Sequence, residues 1–335
     1  MTEDEISASV LRRQTSARPR VAFVASPSPS ELQALTATGE YTSRLQHSTS
    51  IVSMDFAVRG PAALAGVVRA ALARFVDRSS ILSRYLTPVD FTISPEVSHL
   101  LGQGQGGYLG SPGVPVAQQT HPVPAVPGAA GADGYGQAAD PATAAAQLRA
   151  AGFAKDAQGW LTPQRRAFAI CLAVPVSDPS LREVATAVAA QLDAQGVAVA
   201  LRVVPTVESA AQLLRAGGCT AAVLDRTGDG FLTHQAASWI APSAPVPVDV
   251  AWTGVDDPTA TADAAVATAV LNPVEAQPSW NAMDARLWDL MVGLPLYSPS
   301  VYEAWSPTVA GVVPCDSVAG FVGQIPTLLP TATKP

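Results

Sequence analysis

Between residues 168 and 225 the chain alternates short β-branched apolar runs with longer amphipathic ones: 168–174, 178–195, 197–204, 206–216 and 219–224. This alternation predicts two consecutive β-α-β units of a parallel sheet. Asp178 is placed to accept the free N–H groups of a first helical turn, and Pro179 stands where a missing N–H costs nothing. Leu181, Val184, Val188 and Leu192 recur at helical spacing, and Gly196 follows as a left-handed stop. The run 197–204 is apolar except at Arg202 and reads as a strand covered on both faces. Thr206 caps a second helix with Val207, Ala210, Ala211 and Leu214 inward and Gly217-Gly218 behind.

Elsewhere the pattern is weaker. Residues 21–25 form a short apolar run, 31–36 a short helix capped by Ser30, and 50–57 a strand. Leu64, Val67, Val68, Ala71, Leu72 and Phe75 give 62–76 one apolar helical face, and a break at Asp77-Arg78-Ser79 precedes a restart at Ile81. Residues 94–101 read as a helical turn or two. Glycine and proline dominate 102–139, which reads as irregular surface structure rather than a domain. Asp140-Pro141 opens another helix, closed by Gly152. Later come a helix at 259–270, a last helix at 283–291, strands at 294–297 and 301–305, and a tail from 326.

At 335 residues the chain can bury one large or two ordinary domains. A hydrophobic content of 48% excludes a disordered chain, while 25 glycines and 29 prolines make much of it loop. The net charge of -7, with 20 basic residues, argues against a nucleic-acid groove or an anionic membrane as principal partner. No run of about 18 apolar residues is present to span a bilayer. Residues 1–20 lack the apolar core of a signal peptide, so the chain at face value is cytoplasmic. Cys171 and Cys219 fall on two strands of the proposed sheet. They and Cys315 read as small buried hydrophobes, with a 171–219 bridge the alternative in an oxidising compartment.

Several motifs fail on inspection. Gly102, Gly104 and Gly107 have dinucleotide-loop spacing, but no strand precedes them and no helix follows. Asp225, Thr227, Asp229 and Gly230 imitate a calcium loop whose closing acidic position is Ala236. His47, His99, His121 and His234 stand far apart and read as loop or surface residues. No nucleophile elbow, P-loop or paired-histidine zinc motif is present, so no catalytic residue, metal or cofactor is expected. Of the six tryptophans, Trp239 and Trp252 follow the sheet's carboxyl edge, where open α/β sheets hold ligands.

Longer segments carry a resemblance. Asp140-Pro141, the alanine-rich helix ending Ala150-Ala151-Gly152-Phe153, Gly159-Trp160-Leu161 and the strand 170–174 together resemble the late part of family 5 extracellular solute-binding proteins, the peptide and nickel receptors of ABC importers. The junctions Ala190-Gln191-Leu192 to Gly196 and Leu214 to Gly217 fit, as do Val67 to Leu72 with Asp77-Arg78, and Leu294 to Tyr297 with Val301-Tyr302. The resemblance implies an α/β, periplasmic-binding-protein-like two-lobed fold of the class II type, with no chemistry of its own. Residues 51–275 would be the second lobe, 1–50 the end of a first-lobe segment and hinge, and 276–335 the return to the first lobe and a tail.

Most of a first lobe, and a secretion signal or lipid-anchoring cysteine, have no counterpart, which implies a fragment or truncated frame of an extracytoplasmic lipoprotein. Implied partners are a peptide, oligosaccharide or glycolipid ligand and an ABC permease, with a monomer expected. Peptide-binding relatives carry a Trp-, Tyr-, Pro- and Asp-rich segment after the last core strand, where this chain has residues 225–231. Asp225, Asp229 and Phe231, with Trp239 and Trp252, are the ligand-binding candidates. The alternatives are an LpqW-like branch of mycobacterial cell-envelope lipoproteins acting in lipoglycan assembly, and a cytoplasmic α/β enzyme.

Overall fold

A computed structural model describes residues 21–25, 42–86, 90, 93–102, 139–176, 178–226, 232–240, 253, 255–306, 309–310, 312 and 329–330. Strands β1 (Val21–Ala25), β2 (Thr42–His47) and β3 (Ile51–Phe56) come first, then helices α1 (Gly66–Phe75), α2 (Arg78–Tyr85) and α3 (Pro141–Ala150). A small hairpin, β4 (Ala154–Lys155) and β5 (Trp160–Leu161), leads into β6 (Ala169–Pro175), α4 (Pro179–Ala194), β7 (Ala198–Val204), α5 (Val207–Arg215) and β8 (Ala221–Arg226). Helices α6 (Leu232–Trp239), α7 (Pro258–Ala269) and α8 (Pro273–Leu290) follow, then β9 (Gly293–Tyr297), β10 (Ser300–Trp305), β11 (Val309–Ala310) and β12 (Leu329–Pro330).

The β-α-β-α-β reading holds. β6 runs parallel to both β7 and β8 in a five-stranded sheet of order β7-β6-β8-β3-β9, and β3 lies antiparallel between β8 and β9. The predicted capping holds too: the Asp178 carboxyl accepts the N–H groups of Ser180 and Leu181, and Pro179 opens α4. Leu181, Val184, Val188 and Leu192 are buried. With α1 and α3 they cover one face of the sheet, meeting Val52, Met54, Phe56, Ile170 and Leu172. Helix α5 covers part of the other face, against Ala173, Ala222 and Leu224. A third cluster joins α6, α7 and α8 around Trp239, Met283 and Leu287. Gly159 and Gly196 let the β4–β5 hairpin close on the end of α4: both have positive φ, and a Cβ on Gly159 would stand 2.5 Å from the Gly196 carbonyl oxygen.

A second sheet, β1-β10-β2, is antiparallel throughout, and β11 pairs with β12. Two chain segments cross between the sheets, Ser48–Ser50 from β2 to β3 and Ser298–Pro299 from β9 to β10. They are joined by a 2.7 Å hydrogen bond from the Ser48 N–H to the Pro299 carbonyl. The Glu96 carboxylate accepts from the Ser298 hydroxyl and Asp90 from the Ser300 hydroxyl, each at 2.6 Å, so both acids sit buried against the second crossing.

Five expectations are corrected. β7 is an edge strand, largely exposed along its length, because β6 is its partner on one side only among the described residues. Residues 94–101 form no helix; they run without regular structure, fixed instead by the Glu96 side chain and the Ser98 hydroxyl. The last helix begins at Pro273 rather than 283 and carries Pro278 inside it. Cys171 and Cys219 are not separate buried thiols: they form a disulfide, with Cα atoms 4.8 Å apart. The tail contributes β12, paired to β11. The expected helix at 31–36 and nearly all of the glycine- and proline-rich stretch lie outside the described residues.

Candidate functional site

The carboxyl ends of β6 and β8 open beside the two crossings, and a polar cluster forms there. In the sheet register Val52 of β3 faces Asp225 of β8 on one side and Tyr297 of β9 on the other. Directly opposed residues of a sheet share a face, so Asp225, Val52 and Tyr297 form one row across it, on the face that α4 covers. Over this row stands the start of α4, with its capping residue Asp178 and Ser180.

The row is charged on one side only. The Asp225 carboxyl takes a hydrogen bond from the Ser50 hydroxyl, yet its Oδ1 is sealed from water and has no partner among the described residues. Burial pushes its pKa up, the negative charge of Asp178 pushes it further, and the Ser50 bond opposes both; the result is about 7. The Tyr297 phenol is buried, bonded to the Ser180 side chain, and pushed well above the usual tyrosine range first by burial and then by Asp225 and Asp178. The phenol therefore stays neutral, while Asp225 is the group here that changes charge near neutrality.

On the opposite face the chain builds a sealed ion pair. Arg226 donates to Asp55 Oδ2 from Nε at 2.9 Å and from Nη2 at 2.6 Å, and to the Ser238 hydroxyl at 2.6 Å. Its guanidinium lies 3.4 Å from the centre of the Trp239 ring. Trp239 is fully buried and donates its indole N–H to the His99 carbonyl at 3.0 Å. His99 is not a surface residue: it is buried between Trp239 and Trp288, with ring nitrogens 3.0 Å from an Asp284 oxygen and 3.1 Å from the Gly293 carbonyl. Gly293 makes the room, since a Cβ there would stand 2.7 Å from Asp55 Oδ1 and 2.9 Å from the Trp239 ring. Gly293→Ala is therefore expected to cost about 1–3 kcal/mol through overpacking, read as a lower urea midpoint at unchanged slope.

Of the five ligand-binding candidates, the structure puts Asp225 in the row at the carboxyl edge and Trp239 inside, behind the sheet. Asp229, Phe231 and Trp252 lie outside the described residues. Sequence reasoning assigned Asp178 to capping alone and did not single out Tyr297, Ser50, Asp55 or Arg226. An aspartate within an apolar strand, as in residues 51–56, was the available signal for Asp55.

Over residues 10–247 the chain matches the family model for bacterial extracellular solute-binding proteins, family 5 Middle. No curated protein sequence matches it. Among solved structures, the periplasmic EDTA-binding protein EppA superimposes with a TM-score of 0.75 at 14% identity, over 93% of this chain and 54% of that one. NikA from Brucella suis, in complex with Fe(III)-EDTA, gives 0.64 at 18% over 93% and 57%. The oligopeptide-binding protein AppA from Bacillus subtilis, in complex with a nonapeptide, gives 0.69 at 14% over 93% and 56%. At these identities the likeness is one of fold, and the chain spans about half the length of the structures it matches.

Proposed function

This chain belongs to the family 5 bacterial extracellular solute-binding proteins, and from that premise we propose that it forms the second lobe of an ABC importer's solute receptor, holding a small polar ligand against a first lobe. In this reading the five-stranded sheet with its helices is the lobe, and the β1-β10-β2 sheet belongs to the return toward the other. The crossings at 48–50 and 298–299 are the hinge. We place the second crossing downstream of residue 275 because β9 pairs with β3 and so belongs to the lobe.

One observation supports the reading above the others. A carboxylate with a sealed, unpartnered oxygen sits at the carboxyl edge of the parallel strands, beside the paired crossings. Open α/β sheets bind ligands outside this edge, and lobes that close about a hinge trap them there. Asp225 is the residue we assign to the ligand's positively charged group. In this reading the chain carries no chemistry of its own and works with an extracytoplasmic ligand and a membrane permease.

Thermal unfolding of the chain with short free-amino peptides, Fe(III)-EDTA, a nickel-histidine complex and a mannosylated glycolipid extract tests the proposal. A ligand at about 100 times its Kd adds about 2.7 kcal/mol, a shift of several degrees for a domain of this size. A shift with any of the first three supports the receptor reading and names the ligand class. A shift with the glycolipid alone favours the envelope-lipoprotein alternative, and no shift with any of them counts against ligand capture by this lobe.

A further inference from the structure

Resting on that reading of the hinge, we propose that residues 96–102 form a strap that belongs to the lobe and sets the hinge angle, with a buried acid holding one crossing and a glycine seated against both.

The strap is anchored to the lobe almost residue by residue. The Glu96 N–H donates to the Leu296 carbonyl of β9 at 3.0 Å, and Arg78 of α2 donates to the carbonyls of both Glu96 and Pro295. The Trp288 indole of α8 donates to the Val97 carbonyl at 3.1 Å, as the Trp239 indole of α6 does to that of His99. The His99 N–H donates to Asp284 of α8 at 2.8 Å. The Ser98 hydroxyl accepts from the N–H groups of Leu100 and Leu101, and Leu100 packs with Trp239, Met283 and Leu287. An irregular backbone whose polar groups are met by side chains of packed elements moves with those elements.

From that base the strap reaches both crossings. Glu96 is fully buried; its Oε1 accepts from the N–H groups of Val97 and Ser98, and its Oε2 from the Ser298 hydroxyl. One oxygen fixes the strap's own turn and the other fixes the second crossing. At the far end, a Cβ on Gly102 would stand 2.9 Å from the Ser48 carbonyl oxygen, 3.1 Å from that of Thr49 and 3.0 Å from the Ser298 hydroxyl, so this residue lies against both crossings at once. Just inside the lobe, the register of β3 on β9 shifts between Val52 and Ser53. Hinges work through φ/ψ changes in a few residues at the ends of elements. Here those residues turn only by moving against Glu96 and Gly102, so the seat of the strap on the lobe fixes the rest angle of the β1-β10-β2 sheet. A ligand's apparent affinity scales with the fraction of molecules already in the competent arrangement, which makes the strap a regulator of capture.

Double electron–electron resonance on the full chain answers this, with spin labels at Thr42→Cys on β2 and Ala190→Cys on α4, both exposed positions, Cys315→Ser, and the native disulfide kept. The parent is expected to give one narrow distance distribution. Gly102→Ala, which wedges the first crossing away from the second, shifts its mean by several ångström. Ser298→Ala, which removes the hydroxyl that Glu96 holds, broadens it; this variant adds no bulk and carries the test if Gly102→Ala does not fold. Gly293→Ala, whose crowding lies within the lobe, produces neither change. A broad distribution in the parent overturns the inference, as does one that neither hinge variant alters, or a change that Gly293→Ala reproduces. None of these results touches the receptor reading, which the ligand shifts decide; a chain that no ligand stabilises keeps its strap if the distances respond.

Discussion

Asp55→Ala is expected to lower the unfolding free energy by about 3–5 kcal/mol, the cost of removing one member of a buried ion pair. Asp55 is fully buried and Arg226 is 2% exposed, so neither charge is relieved by water. The substitution strands a guanidinium between Trp239 and the sheet with the Ser238 hydroxyl in place of its carboxylate. Removing both charges tells desolvation from packing. Asp55→Leu combined with Arg226→Leu is expected to recover most of the loss, because a buried pair exchanged for apolar groups of similar volume is often neutral. Urea unfolding of the three proteins measures it, and a single-variant loss below about 1 kcal/mol would mean that the pair is hydrated.

Opening the Cys171–Cys219 bridge is the second large effect. It closes a loop of 48 residues that contains α4, β7 and α5, and disulfides of this kind contribute about 2–4 kcal/mol. Reduction, or replacement of both cysteines by alanine, is expected to lower Tm by several degrees while leaving the sheet's circular dichroism intact. Alkylation under denaturing, non-reducing conditions supplies the independent check: both positions stay unmodified if the bridge is present, and labelling of both refutes it. A bridge of this kind persists in an oxidising compartment, consistent with the extracytoplasmic setting proposed above.

What the sequence made legible follows the range of the forces involved. Asp178, Pro179 and Gly196 define α4 through contacts within a few residues, and their roles were readable before any fold was known. The same holds for Asp140, which caps its helix. Strand order is a property of distant segments. Residues 198–204 are apolar enough for a central strand, yet β3 and β9, from the two ends of the lobe, both add on the far side of β8 and leave β7 at the rim. Pro278 hid the first part of α8, because a proline inside a helix removes a backbone bond and reads as a stop.

The candidate site was legible by half. Asp225 was nameable from its place after the last core strand, but its environment depends on Tyr297, 72 positions later, and on the second carboxyl of Asp178. Trp239, a helix further along the chain from that edge, went to the other face, as α6 packs behind the sheet with Leu100, Ala260 and Met283. Parity along β8 decides which neighbour faces which way: Ala221, Val223 and Asp225 look toward α4, while Ala222, Leu224 and Arg226 look away.

The rim position of β7 has a colloidal consequence. A seven-residue strand with Leu201 and Val203 exposed offers its outer backbone as a template for strand-by-strand addition, the first step of aggregation. Arg202 is its one charge. By strand alternation it projects to the face opposite those two apolar side chains, and a charge on an open edge strand disfavours the pairing of neighbouring molecules along it.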